Sequence, residues 1–215
     1  MANYHTVIFD FDGTIADTME SARIAYNEIA ASSGFKQITP EDIPILREEK
    51  LSNILKILGV SKLQAPGLLI KGRALIREKL ASIPLIDGMD GVLHSLGLHV
   101  KQIGILTSNS SDNVQLFLEA NDLSDCVDFI QSTSTLSGKS KCLKRIIKSS
   151  EKDGRGKSGM IYVGDEVRDI ESCHKAGTDI AAVTWGFNAN TALADAKPSY
   201  LIDEPSELLK VIVGG

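Results

Sequence analysis

Two pairs of acidic residues, each directly behind a short apolar run, are the groups in this 215-residue chain best placed to do chemistry. The first follows Val7-Ile8-Phe9 and reads Asp10-Phe11-Asp12-Gly13-Thr14. In extended backbone, residues two apart point the same way, so Asp10 and Asp12 can share a side. Carboxylates held that close repel, and the arrangement costs stability unless a cation or a proton offsets the charge. Gly13 then permits a turn that other residues resist. The second pair follows Met160-Ile161-Tyr162-Val163 and reads Gly164-Asp165-Glu166-Val167-Arg168-Asp169. Asp165 and Asp169 lie one turn apart if a helix begins there. Singly, each pair has a plain structural account: a solvated acidic turn, or acids complementing a helix dipole. Together, at strand ends of one parallel sheet, they converge on one edge and describe a hard-cation site. Magnesium suits it best, because that ion takes oxygen ligands from a few carboxylates, waters and a phosphate.

Two further stretches could serve an anion. Ile103-Gly104-Ile105-Leu106-Thr107-Ser108-Asn109 ends an apolar run in hydroxyls and an amide, ahead of a helix expected near Ser111. Such a terminus supplies donors to a phosphate, or simply caps the helix. Gly138-Lys139-Ser140-Lys141 opens another expected helix, and a lysine there could neutralise phosphate charge. Lys139 is preferred to Lys141. Arg47 and Lys50, within Leu46-Arg47-Glu48-Glu49-Lys50, could meet a second anionic group, although the run also reads as a solvated helix face. Gly154-Arg155-Gly156-Lys157-Ser158-Gly159 fits a dinucleotide-type glycine pattern but precedes a strand instead of following one, so it reads as a loop. Neither Gly-Lys-Ser sequence carries the glycine that a P-loop requires five residues earlier. Trp185-Gly186-Phe187 could line a site mouth or pack in the core.

The elements that must position these groups alternate. Strand-like runs fall at residues 4–9, 100–106, 127–131, 160–163 and 180–184, with 200–202 as a candidate edge. Helical patterns fall near 88–97, 110–121, 138–150, 168–176 and 206–213. That alternation predicts an α/β fold: a parallel sheet covered by helices on both faces. From Asp17 to Pro84 the alternation stops and only helical pattern remains. Met19, Ala22, Tyr26, Ile29 and Ala30 share one face, and Leu68, Leu75, Ile76 and Leu80 suggest another. A helical insertion after the first strand would sit over the sheet's C-terminal edge, where open α/β sheets bind ligands.

Composition narrows the classes. Lys plus Arg number 23 against 28 Asp plus Glu, a net charge of −5 that argues against a nucleic-acid partner. With 43% hydrophobic residues the chain can fill a core, which excludes disorder. Cys126, Cys142 and Cys173 are scattered and odd in number, so neither a disulfide framework nor a structural zinc site is expected. No signal-like or membrane-length stretch appears, and the expectation is a soluble cytoplasmic protein with no membrane partner.

In order and rough spacing, Asp10-x-Asp12-Gly13-Thr14, Thr107, Lys139 and Gly164-Asp165-x-x-x-Asp169 resemble the four motifs of the haloacid dehalogenase superfamily, in its phosphoglycolate-phosphatase-like branch. The resemblance implies a Rossmann-like core of residues 1–16 and 85–215, with a helical cap of residues 17–84. It implies a magnesium-dependent phosphatase of a small phosphorylated metabolite. Asp10 would be the nucleophile that forms an aspartyl-phosphate, and Asp12 the acid and then base. Thr107 and Lys139 would hold the phosphoryl oxygens. Asp10, the backbone carbonyl of Asp12 and Asp165 would hold the metal, with Asp169 nearby or acting through water, and Gly13, Thr14, Ser108, Asn109 and Arg47 would serve the substrate. The lysine stretch lacks the Lys-Pro-x-Pro form common in that branch. A phosphomutase shares the same motifs. A receiver-type signalling domain also uses strand-end acids, but it has no helical insertion and places its lysine differently. A monomer or a homodimer fits equally well.

Overall fold

The computed structural model describes residues 2–78, 83–133, 138–152 and 159–214. Among them, six strands form one parallel sheet in the order β3-β2-β1-β4-β5-β6. The strands are β1 (Thr6–Phe9), β2 (Gln102–Thr107), β3 (Phe129–Ser132), β4 (Met160–Gly164), β5 (Asp179–Val183) and β6 (Tyr200–Ile202). This is the doubly wound order, and its direction of winding reverses between β1 and β4. Those two strands carry the two acidic motifs at their carboxyl ends. They are paired in register, with Phe9 beside Val163.

The strands alternate between two cores because successive side chains point to opposite faces. Val7, Phe9, Ile161 and Val163 pack on one face under α5 (Met89–His99), α6 (Ser111–Ala120) and α10 (Glu207–Val213). Ile8, Met160 and Tyr162 pack on the other under α7 (Lys139–Lys152), α8 (Val167–Ala176) and α9 (Asn190–Asp195). Burial on both faces explains why these strands read as continuous apolar runs. The predicted helices fall within a few residues of their observed ends. The first strand starts at Thr6 instead of Tyr4, whose phenol hydroxyl donates to Asp179 Oδ2 at 2.9 Å. Helix α9 was absent from the sequence reading.

Between β1 and α5 the chain forms α1 (Met19–Ser33), α2 (Ile43–Arg47), α3 (Leu51–Ile57) and α4 (Ala65–Glu78), with a 3-10 turn at Pro40–Asp42. No strand occurs among the described residues of this stretch. Tyr26, Phe35, Ile38, Ile54, Leu55 and Leu68 gather around buried Leu58, Val60 and Ala65. The chain leaves and returns side by side: Asp17 N donates to Pro84 O and Ile86 N to Ile15 O, both at 2.9 Å. Leu80 and the glycine-rich stretch 154–158 lie outside the described residues. No described helix is long and apolar enough to cross a membrane. Cys126, Cys142 and Cys173 are free thiols.

Candidate active site

The strand order delivers Asp10 and Asp165 to adjacent strand ends, with Thr107 ending β2 beside them. Asp10 and Lys139 are each 3% exposed, and Asp165 and Asp169 are wholly buried. Asp10 Oδ1 accepts the Phe11 amide at 2.8 Å, and Oδ2 accepts from Lys139 Nζ. The same ammonium donates to Asp169 Oδ1 at 2.7 Å and lies 5.5 Å from the Tyr162 ring centroid. Lys139 begins α7 and points into the sheet edge, whereas Lys141 is exposed on the same helix. This geometry separates the two candidate lysines.

One ammonium among several buried carboxylates leaves an excess of negative charge. Burial pushes the Asp10 carboxyl up to about 7, against the pull of Lys139 and with the neighbouring Asp169 charge adding to the rise. Burial likewise raises Asp165 well above the ordinary carboxylate range, helped by the charges of Glu166 and Asp10. Burial alone would discharge Lys139, but the Asp10 and Asp169 carboxylates outweigh it and hold the ammonium protonated. Asp12 is raised by burial, while its bond to Asn109 pulls the other way.

Of the expected metal residues Asp10, Asp12, Asp165 and Asp169, two join a third acid in a close group of carboxylates. One carboxylate oxygen each from Asp10, Glu166 and Asp169 lies within 4.8 Å of the other two. Asp165 lies outside that close group, and both its oxygens have donors. Thr14 Oγ1 binds Oδ1 at 2.9 Å, and the Phe187 amide binds Oδ2 at 2.7 Å. Each of those oxygens keeps a second lone pair. The Asp12 carboxylate faces Asn109, whose Nδ2 lies 3.3 Å from both its oxygens. Closely set oxygen donors with excess negative charge are the chemistry of a hard divalent cation.

The expected substrate contacts divide in the same way. Ser108, Asn109 and Arg47 border a cavity of about 340 Å³ that Asp12 also lines, between the inserted helices and the sheet edge. Gly13 and Thr14 do not border it; they brace Asp165 instead. Gly13 has φ +76°, and a Cβ there would stand 2.4 Å from Asp165 Oδ2. Thr107 is fully buried, with its Oγ1 accepting the Asn109 amide at 2.9 Å. Asn109 Oδ1 accepts from Ser110 N at 2.8 Å and Asn113 Nδ2 at 3.0 Å, which fixes its amide toward Asp12. Arg47 donates Nη2 to Thr184 O at 2.9 Å, and its Nε is buried without a partner. Lys50 is exposed and pairs with Glu171 at 3.2 Å. Phe187 borders the cavity, whereas Trp185 packs on the core and donates Nε1 to Thr14 O at 3.2 Å.

Three participants escaped the sequence reading. Glu166 joins the acidic group, and Arg168 pairs with it. Asn188 takes the first amide of α8, Val167 N, on Oδ1 at 2.9 Å and donates Nδ2 to Arg47 O at 3.0 Å. Only its placement on the loop after β5 could have signalled that role.

A parallel sheet with acids at the strand ends on either side of its switch point defines an α/β enzyme whose ligand lies beyond the strands' carboxyl ends. The chain belongs to the haloacid dehalogenase-like hydrolase family, whose model matches residues 7–183. It is 31% identical over 206 residues to a phosphoglycolate phosphatase of Synechococcus elongatus, covering 96% of each chain. It is 23% identical to a pyrophosphatase of Bacillus cereus, covering 97% of this chain and 96% of the other. A haloacid dehalogenase-like hydrolase from Streptococcus pneumoniae shares the fold with a TM-score of 0.76 at 19% identity, over 96% of this chain and 97% of that one.

Proposed function

We propose that this hydrolase is a magnesium-dependent phosphatase that cleaves a small phosphomonoester through an aspartyl-phosphate on Asp10. The observation that carries the reading is the buried Asp10–Lys139–Asp169 cluster, with Asp12, two residues after Asp10, bordering the cavity. The names of the relatives, phosphoglycolate phosphatase and pyrophosphatase, support the same chemistry. In this reading residues 17–84 act as a cap over the core.

An Asp10 oxygen attacks phosphorus as the phosphorus–oxygen bond to the alcohol breaks. Asp12, raised by burial, gives its proton to the departing alkoxide. Asp12 then takes a proton from water as that water attacks phosphorus, and Asp10 returns to a carboxylate as inorganic phosphate leaves. Splitting one hydrolysis into two displacements is the advantage of a carboxylate nucleophile. Asn109 holds Asp12 in place for both proton transfers, and Lys139 and Thr107 are set to meet phosphoryl charge. Asp10, Asp169 and Glu166 would hold the ion, together with Asp165 through its remaining lone pairs. When bound, it neutralises charge between anionic nucleophile and anionic substrate.

The test is hydrolysis of p-nitrophenyl phosphate by the wild type with magnesium, by the wild type with chelator, and by Asp10→Asn. Activity should require magnesium and fall by at least ~10³-fold in Asp10→Asn. Turnover that survives chelation or the substitution would remove the mechanism.

A further inference from the structure

The cavity beside Asp12 is larger and less polar than a phosphate needs. Its volume of about 340 Å³ falls among pockets that hold whole ligands, roughly 300–1,000 Å³. At the sheet edge it is bordered by Asp12, Ser108 and Asn109. Across from that edge the inserted helices present an aliphatic wall, including Met19, Ile29, Ile54, Leu55, Leu68 and Ile76. Among the described side chains, the Arg23 and Arg168 cations that border it are engaged. Arg23 binds both oxygens of Glu20, at 2.8 and 2.6 Å, and donates Nη1 to Ile38 O at 3.2 Å. Arg168 is paired with Glu166. Arg47 gives Nη2 to Thr184 O, and its carbonyl accepts from Ala189 N at 2.8 Å, so it sits where the insertion meets the core. Its Nε is buried without a partner.

Resting on the phosphatase reading, we infer that the alcohol half of the substrate is apolar: an alkyl or aryl group of several carbons that fills this cavity. The reaction is ester plus water giving an apolar alcohol plus inorganic phosphate. A carboxylate on the alcohol half would have to leave water for a wall whose described side chains are mostly aliphatic. An alkyl chain there gains from burial with every carbon.

The experiment uses the full chain with magnesium and compares ethyl, butyl and hexyl phosphate with phosphoglycolate. The expected result is a rise in kcat/KM of about tenfold for each pair of methylenes, the rate equivalent of their burial. Hexyl phosphate should also exceed phosphoglycolate. A flat series, or a preference for phosphoglycolate, overturns the inference and leaves the phosphatase reading standing. Hydrolysis of none of these esters, nor of p-nitrophenyl phosphate, fails that underlying reading and this one with it. Ile54→Asn should lower the hexyl-to-ethyl ratio at least fivefold; an unchanged ratio in the folded variant counts against the assigned wall. Should that variant not fold, inhibition of the wild type by alkylphosphonates answers the same question. Hexylphosphonate should bind at least tenfold tighter than ethylphosphonate, and equal binding overturns the proposal.

Discussion

Replacing Lys139 with methionine would leave the Asp10 and Asp169 carboxylates facing one another with no counter-charge between them. Breaking a buried ion pair from one side costs roughly 3–5 kcal/mol, so Lys139→Met should lose stability of that order in urea denaturation. Lys141→Met, on the exposed side of the same helix, should stay within about 0.5 kcal/mol of the wild type. Equal losses would remove Lys139 from the charge balance. The same cluster sets a pH dependence. The Asp10 carboxyl stands at about 7 in the fold against an ordinary 3.8, so between those values the native state holds a proton that the unfolded chain releases. Stability of the metal-free protein therefore falls as pH rises through that window. Asp12 and Asp165 are shifted in the same direction and add to the fall. Melting curves should show the slope, shallower in Asp10→Asn and opposed by added magnesium; a melting temperature that rises with pH from 4 to 7 would contradict it. At this scale the carboxylates and Lys139 were legible, because an acid or amine behind an apolar run has few structural uses. Glu166 and Arg168 were not, since adjacent charges at a helix start read as dipole complements and a solvated pair.

Asp165 owes its hydrogen bonds to two separate segments. The turn after β1 supplies the Thr14 hydroxyl, and the loop after β5 supplies the Phe187 amide. Gly13 and Gly186 leave room for the carboxylate, since a Cβ on either would come within 2.4 Å of it. Thr14→Val should strip one bond from a fully buried acceptor and cost about 1–3 kcal/mol. Gly13→Ala combines that collision with a left-handed φ of +76° and should cost more than Thr14→Val, together with a large loss of turnover. Denaturation and steady-state assays on both variants check the order. The strands and long helices were visible in the sequence because two-sided burial makes strands uniformly apolar and cores make helices periodic. Helix α9 was missed because Asn190–Asp195 is six residues long and buries only Leu193, too little for a period to show. The bonds that fix Asp165 were also illegible, since they come from donors more than 20 residues away on either side of it in sequence.

Among the described residues, the inserted helices meet the core through polar contacts on the half-buried loop after β5 and at the surface, such as Ala189 N to Arg47 O, Asn188 Nδ2 to Arg47 O and Lys50 to Glu171. Sheet amides such as those of β1 are buried and paired on both sides. In native-state hydrogen exchange, the Ala189 amide should therefore exchange at least tenfold faster than the β1 amides and slow when magnesium and orthovanadate are added. Exchange of both sets at one rate would mean that the insertion and the sheet open together. The pairing pattern also bears on how the molecule comes into being. Thr6 pairs with Gln102 on one side and Met160 on the other, so the strand that ends at Asp10 has no neighbour until residue 102 has been made and lacks its second until residue 160. On the ribosome, α1 to α4 emerge with only local contacts to satisfy, while the strand ahead of them waits, apolar and unpaired. The first-synthesised part of the candidate site thus stays unpaired until later segments arrive, and in the interval that apolar edge is open to wrong partners.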